Sequence, residues 1–188
     1  PMALKALAFY RQAIDSSSPE IRPEIIEKWK NKDPFSTGTL VELTSVDESK
    51  TINDPQQPCI IISASGMGTG GRVVHHLRNM LPKEKHTVIL VGYQAVGTRG
   101  RNLVNGATEV KMHGEMVPVK AEIESIQSFS VHADGDELIA WMNTETEAPG
   151  QVLVVHGEAG VAETFSDRIK SQLGWKSHAP HDGEIVRL

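Results

Sequence analysis

Apolar and polar positions change their period several times along the chain, and each change predicts an element. Leu4, Leu7, Ala8 and Ile14 recur at helical spacing, so the opening residues predict a helix. Pro23 stands where a first helical turn tolerates it, and "PEIIEKWK" follows as a second, shorter helix. Residues 31–57, rich in Asp, Pro, Ser and Thr, predict mostly loop around "TLVEL". A β/α rhythm then begins. The apolar stretch 59–64 predicts a buried strand that leads through a glycine loop into a helix over 71–81, where Val73, Leu77 and Leu81 share one face and Pro82 stops the helix. "TVILV" at 87–91 predicts the next strand, followed by "GYQAVGTRG" and a short helix closed by Gly106. Two strand–loop–helix units in succession predict a parallel sheet with right-handed crossovers.

From about residue 108 the rhythm alters. Val117, Val119, Ala121 and Ile123 alternate with polar residues, the period-two mark of a half-exposed strand, and Pro118 places it near an edge. "FSVHADGDELIAWM" turns into a helix: Asp134 with Glu137 reads as a capping box, and Leu138, Ile139, Trp141 and Met142 supply the apolar face, with Trp141 expected in the core. "QVLVV" predicts a further strand. Val161, Phe165, Ile169 and Leu173 then line a helix that ends before Gly174, and "GEIVRL" predicts a last strand.

Composition adds limits rather than identity. With 188 residues, 39% of them hydrophobic and 23% charged, the sequence is that of an ordinary globular chain, and no apolar run approaches the ~20 residues of a membrane span. A single cysteine, Cys59, excludes an internal disulfide framework and makes the cytoplasm the expected compartment. A net charge of -5 leaves no global basic footprint, so contact with nucleic acid would depend on a local cluster such as Arg72, Arg78, Arg99 and Arg101. The chain opens at Pro1 without an initiator Met or a signal-like segment, which reads as a cut inside a longer protein.

The stretch "SGMGTGG", with glycines at 66, 68 and 71, fits G-x-G-x-x-G between a predicted strand and a helix. A dinucleotide site also needs an acidic residue at the end of the next strand, and that strand ends in Gly92-Tyr93-Gln94. A P-loop needs Gly-Lys-Ser/Thr at the end of the loop, which this sequence lacks. What both motifs share still applies: small residues let the backbone approach a ligand, and helix N-terminal amides favour an anion. The loop suits a phosphate without saying whose. His156 directly follows "QVLVV", and His132 lies between a predicted strand and a capped helix, so both emerge at strand ends, where open α/β sheets place their ligands. Each could equally be a structural histidine. His75 and His76 read as partly exposed helix positions, His86 and His113 as surface, and "HAPH" at 178–181 lacks the company of a metal site.

Taken together, "SASGMGTGGRVVHHL", "VGYQAVGTRGRNLVNGA", "FSVHADGDEL" and "LVVHGEAG" resemble, in order and spacing, the β-CASP group of metallo-β-lactamase-fold RNA-processing nucleases. The resemblance covers about residues 58–160, and the opening helix is similar to one inside that family's β-CASP domain. It implies an α/β fold: a Rossmann-like β-CASP segment with a parallel sheet over 1–107, then the C-terminal strands and helices of a metallo-β-lactamase αββα domain over 108–188. It implies that His132 matches a histidine that contacts the scissile phosphate and protonates the leaving oxygen. It implies that His156 matches a ligand of one of two zinc ions. Ser65, Gly66, Met67, Gly70 and Gly71 would cradle an RNA backbone phosphate, with Arg72 as charge partner and Ser130 adding a hydroxyl beside His132.

The departure matters as much. The family's H-x-H-x-D-H cluster is absent, and His156 alone cannot supply the roughly three protein ligands a catalytic zinc requires. Three classes stay open: part of a zinc-dependent ribonuclease, inactive by itself; a non-catalytic RNA- or partner-binding β-CASP module; and a nucleotide-dependent oxidoreductase, against which the missing ribose carboxylate counts. RNA is the expected partner, no membrane is expected, and a homodimer stays open.

Overall fold

The computed structural model describes residues 2–187 and forms two compact units, one running up to Phe129 and the other from Ser130 onward. Pro1 and Leu188, at the ends of the predicted first helix and last strand, lie outside the described residues. The first unit opens with helices α1 (Met2–Asp15), α2 (Pro23–Trp29) and α3 (Val46–Thr51). The glycine loop then leads into α4 (Arg72–Met80), followed by β1 (Thr87–Val91), α5 (Arg99–Val104), β2 (Glu109–Met112), β3 (Glu115–Pro118) and β4 (Glu122–Ile126). β1 and β4 pair in parallel, Thr87 opposite Glu122 and Val91 opposite Ile126. Between them lie α5 and an antiparallel β2–β3 hairpin whose two-residue turn, His113-Gly114, takes positive φ at both positions (49° and 87°), the geometry that matches strand twist. The chain is therefore a mixed α/β protein with parallel strands.

One apolar cluster holds this unit together. Val74, Leu77 and Leu81 from α4 and the residue after it, Leu90 from β1, Leu103 from α5, Val110, Met112 and Val117 from the hairpin, and Ala121 are all buried, with Val88 and Ile123 packed against them. The buried face of α4 thus runs through Val74, while Val73 is only half-buried. The amides of Lys120 and Ala121 both donate to the Leu81 carbonyl, at 2.7 and 2.9 Å, and the Val119 amide donates to Thr108. Those bonds take the backbone out of strand geometry, so the alternating run at 117–123 is divided between β3 and β4. The hairpin's first strand, β2, carries only four residues and was hidden by the short apolar signal of Val110 and Met112.

Several expectations are corrected. Residues 59–64 form no strand: Ile60 and Ile62 are 92% and 83% exposed, and no described segment pairs with them, so an apolar run without a ladder partner stays irregular. Within 31–57 the structure adds α3, whose N-terminus is a capping box: Ser45 Oγ accepts from the Glu48 amide and the Glu48 carboxylate accepts from the Ser45 amide. Arg11 on α1 holds the loop before it, pairing with Asp33 and Glu42, each at 2.7 Å, and its guanidinium pushes the Asp33 carboxyl below the usual carboxylate range.

The second unit contains α6 (Gly135–Met142), β5 (Val152–Leu153), α7 (Ala159–Leu173) and β6 (Ser177–His178). β5 and β6 pair in parallel over two residues each, so the predicted strand at 151–155 is short, and residues 183–187 form no strand. The Asp134–Glu137 capping box and the left-handed Gly174 stop (φ 70°) are both present. Met142, Ala162 and Ile169 are buried, and Ser166 donates to Ser177 at 3.0 Å to join α7 to β6. Trp141 is 68% exposed rather than in the core, because α6 turns only Met142 fully inward.

His76 also departs from expectation: it is buried, its Nε2 3.1 Å from Ser49 Oγ and its Nδ1 2.8 Å from Asn53 Oδ1. Asn53 Oδ1 can only accept, so Nδ1 carries the proton and Nε2 accepts from Ser49, an arrangement made for neutral imidazole. Burial, aided by the charges of His75 and Arg72, holds His76 below the ordinary histidine range. The unfolded chain takes up that proton near pH ~6.5, so the stability from neutral His76 is complete above that pH and is lost as pH falls below it. His76→Gln is expected to lower the melting temperature at neutral pH and to flatten the acid limb of melting temperature against pH. An unchanged acid limb would assign it to another group, such as His86, which burial also pushes down.

Candidate phosphate loop and histidine site

The glycine loop sits in the first unit directly before α4. Gly71 is the N-cap, at φ 73°, and brings no side chain to the first amides of the helix, so the cap position offers them to a ligand. Within the loop the Gly68 amide donates to the Ser65 carbonyl at 2.9 Å, and Ser65 Oγ accepts from the Gly70 amide at 3.3 Å while lying 3.2 Å from Thr69 Oγ1. Ser65 takes a left-handed φ of 71°, a conformation that non-glycine residues rarely adopt. Ser65 and Gly70 are thus brought together, and Met67 is tied through its carbonyl to the Gly100 amide at 2.9 Å.

Arg72 does not hold its guanidinium toward the loop. Its Nη1 and Nη2 donate to the carbonyls of Leu43 and Thr44, at 3.0 and 2.9 Å. Arg99 is used in the same way: Nη1 donates to Gly68 at 2.9 Å and to Thr69 at 3.3 Å, and Nε to Lys111 at 2.7 Å. Carbonyl oxygens are neutral acceptors, so neither guanidinium is offset by a carboxylate among these bonds, and that of Arg99 stands at the loop itself. In contrast, Arg78 and Arg11 face carboxylates. The second loop also packs closely. Arg101 Nε donates to the Gln94 carbonyl at 2.6 Å and its guanidinium lies 5.4 Å from the Tyr93 ring centroid. Sequence reading missed the parts played by Gln94, Arg99 and Gly100. The "GYQAVGTRG" motif held the signal, but only the fold shows that it meets the glycine loop.

Both motif histidines belong to the second unit. His132 is exposed just before α6, its Nδ1 3.5 Å from Ser130 Oγ, and the same hydroxyl accepts from the His132 amide at 3.4 Å. The distances are long, and they place the Ser130 hydroxyl beside the ring as a weak orienting contact. His156 follows β5 and precedes α7, exposed and at a left-handed φ of 64°. It lines a largely apolar groove of about 640 Å³ with Trp141, Val155, Val161, Phe165 and Ile169. Among the described residues no three His, Cys, Asp or Glu side chains gather into a metal site, and His156 by itself falls short of a zinc ligand set.

Two family models match this chain. The Beta-Casp domain model covers residues 1–103, more than half the chain, and a Zn-dependent metallo-hydrolase RNA specificity domain model covers residues 116–180. The chain belongs to the β-CASP family of metallo-β-lactamase-fold RNA-processing nucleases. It is similar to the transcription termination factor FttA of Methanocaldococcus jannaschii, 29% identical over the whole chain and 30% of that protein. It is also similar to the ribonuclease TTHA0252 of Thermus thermophilus, 32% identical over 84% of this chain and 35% of that one. An RNase J-like protein of M. jannaschii is 33% identical over 98% of this chain and 41% of its own length. The chain thus spans between 30% and 41% of these relatives.

A non-glycine residue in the left-handed region costs about 1–2 kcal/mol, and a glycine there gives back part of that relief through the unfolded chain. His156→Gly is therefore expected to leave the urea midpoint unchanged or to raise stability by up to ~1 kcal/mol. A clear loss of stability would make the imidazole a structural element of this turn.

Proposed function

We propose that this chain is the RNA-gripping and returning catalytic portion of a zinc-dependent ribonuclease that hydrolyses RNA phosphodiester bonds. In this reading residues 1–107 are the β-CASP segment and 108–188 the C-terminal part of the metallo-β-lactamase domain. The observation that carries it is the glycine loop at the N-terminus of α4, with Arg72 following it in the chain and the Arg99 guanidinium on its Gly68 and Thr69 carbonyls. Ser65, Gly66, Met67, Gly70 and Gly71 cradle a backbone phosphate, with the Ser65 hydroxyl shaping the loop through the Gly70 amide, and Arg72 contributes by its field rather than by a direct bond. RNA is supported as the partner by the RNA specificity domain match. The exposed free thiol of Cys59 suits the reducing cytoplasm.

His132 is the proton donor. In hydrolysis a new P–O bond forms from water, the bond to the leaving oxygen breaks, and the imidazolium supplies the proton that oxygen needs. Ser130 orients the ring. His156 is one zinc ligand of a site whose remaining ligands this chain does not bring, so the 188-residue chain alone is expected to cleave no RNA and to hold well under two zinc ions after dialysis. Two tightly held ions per monomer would overturn that.

The roles separate in the full-length enzyme that this reading implies. His156→Ala is expected to lower zinc content and single-turnover cleavage together, with partial rescue by added zinc. His132→Ala is expected to keep its zinc while cleavage slows by the ~10²–10⁴-fold typical of lost acid–base help. The reverse pattern would exchange the two assignments. Wild-type-like cleavage by both variants would favour a non-catalytic RNA- or partner-binding module.

A further inference from the structure

The glycine loop does not hold its own shape. Among the described residues three bonds are internal to it, Gly68 N to Ser65 O, Gly70 N to Ser65 Oγ and the Ser65–Thr69 hydroxyl pair, and further ones come from the loop and helix around residues 94–100. The Gly100 amide reaches the Met67 carbonyl at 2.9 Å, an approach of backbone to backbone that is open only because residue 100 has no side chain. A β-carbon there would overlap Gln94 Oε1, stand 2.8 Å from Gln94 Cδ and stand 3.2 Å from Met67 Cα. Gln94 has little room to swing away, since it is 4% exposed and its Nε2 donates to Gly92 at 3.2 Å. Its Oε1 is buried without a hydrogen-bond partner, an unfavourable state that a merely space-filling residue would not need. Arg99 completes the arrangement by joining the Gly68 and Thr69 carbonyls to Lys111 on β2.

We propose that Gln94, Gly100 and Arg99 are positioning residues that fix the backbone of the 65–71 loop, and through it set the affinity for an RNA phosphate, while acting through the loop rather than on the RNA. This rests on the reading of the loop as a phosphate site. Gln94 fills the space over Gly100, Gly100 brings the two backbones to hydrogen-bond distance, and Arg99 holds the Gly68 and Thr69 carbonyls in place.

The test measures binding of a short fluorescein-labelled single-stranded RNA to the chain by anisotropy over a range of salt, with circular dichroism on every variant. Gly100→Ala is expected to weaken binding about ten-fold and to reduce the slope of log affinity against log salt by ~0.7, one single-strand phosphate. The double variant Gln94→Ala with Gly100→Ala is expected to recover most of the affinity, because the overlap with the Gln94 amide is then removed. Arg99→Lys keeps the charge but cannot span the three carbonyls, and is expected to bind several-fold more weakly; it decides the matter if Gly100→Ala fails to fold. Gly70→Val reports on the loop itself. Weak binding by Gly70→Val beside wild-type affinity and salt slope in natively folded Gly100→Ala and Arg99→Lys would overturn the positioning role alone, and a double variant no better than Gly100→Ala would remove Gln94 from it. Unchanged affinity in Gly70→Val, or no RNA affinity in the wild-type chain, would remove the phosphate reading and this inference with it.

Discussion

The carbonyl of Leu81 is the fixed point of the first unit. Leu81 is fully buried just past the last turn of α4, and its oxygen accepts from both Lys120 and Ala121. A helix leaves its final carbonyls without intrahelical donors, and burying them unpaired is costly. Here the chain entering β4 supplies the donors. The next amide, that of Glu122, bonds to His86 at 3.0 Å, and the parallel register with β1 follows from there. The same bonds anchor α4 at its C-terminal end, so its N-terminal end and the glycine loop are carried by a rigid element. A loop that recognises an anion by amide geometry needs such support, because a displacement of an ångström changes which amides can converge.

How much of this was legible depends on whether the signal was local. Caps are local, and Asp134 with Glu137, Gly106 and Gly174 all mark the ends they announce in the sequence. The capping box at Ser45 and Glu48 was equally present, but it stands in a segment whose Asp, Pro and Ser content favours loop, and α3 went unread. Strands are not local. The run at 59–64 and the run at 117–123 both have strand-like composition, yet the first finds no ladder partner among the described residues and the second is divided by the demand of Leu81 for donors. The motif histidines were visible as sequence, as was the family. That Gly100 must lack a side chain because Gln94 and Met67 stand over it depends on two segments far apart in the chain, and no spacing rule contains it.

The second unit shows the opposite economy. Its buried apolar side chains are few, Met142, Ala162 and Ile169, while Trp141, Val155 and Val161 stay mostly exposed around the groove that His156 also lines. His156 stands beside that groove, exposed and at a left-handed φ of 64°, a backbone conformation that non-glycine residues rarely adopt. His76 is the contrast within the same chain: both ring nitrogens satisfied, neutral and buried, it joins α4 to α3 and has nothing left to offer a ligand.

A net charge of -5 opposes the approach of an RNA phosphate such as the proposed function requires. The resolution lies in which partners the arginines choose. An arginine facing a carboxylate, as Arg11 faces Asp33 and Glu42, contributes order at the expense of its field. An arginine whose donors end on carbonyl oxygens contributes the same order and keeps its unit charge, since a peptide dipole cancels only part of it. Arg72 and Arg99 are of the second kind, Arg72 on the Leu43 and Thr44 carbonyls and Arg99 on the Gly68 and Thr69 carbonyls of the glycine loop. Ordered side chains also lose no further entropy when a ligand arrives, so an attraction built this way is set before binding rather than paid for during it. Local potential, and not the sum over the chain, is what a phosphate within a Debye length of ~10 Å responds to.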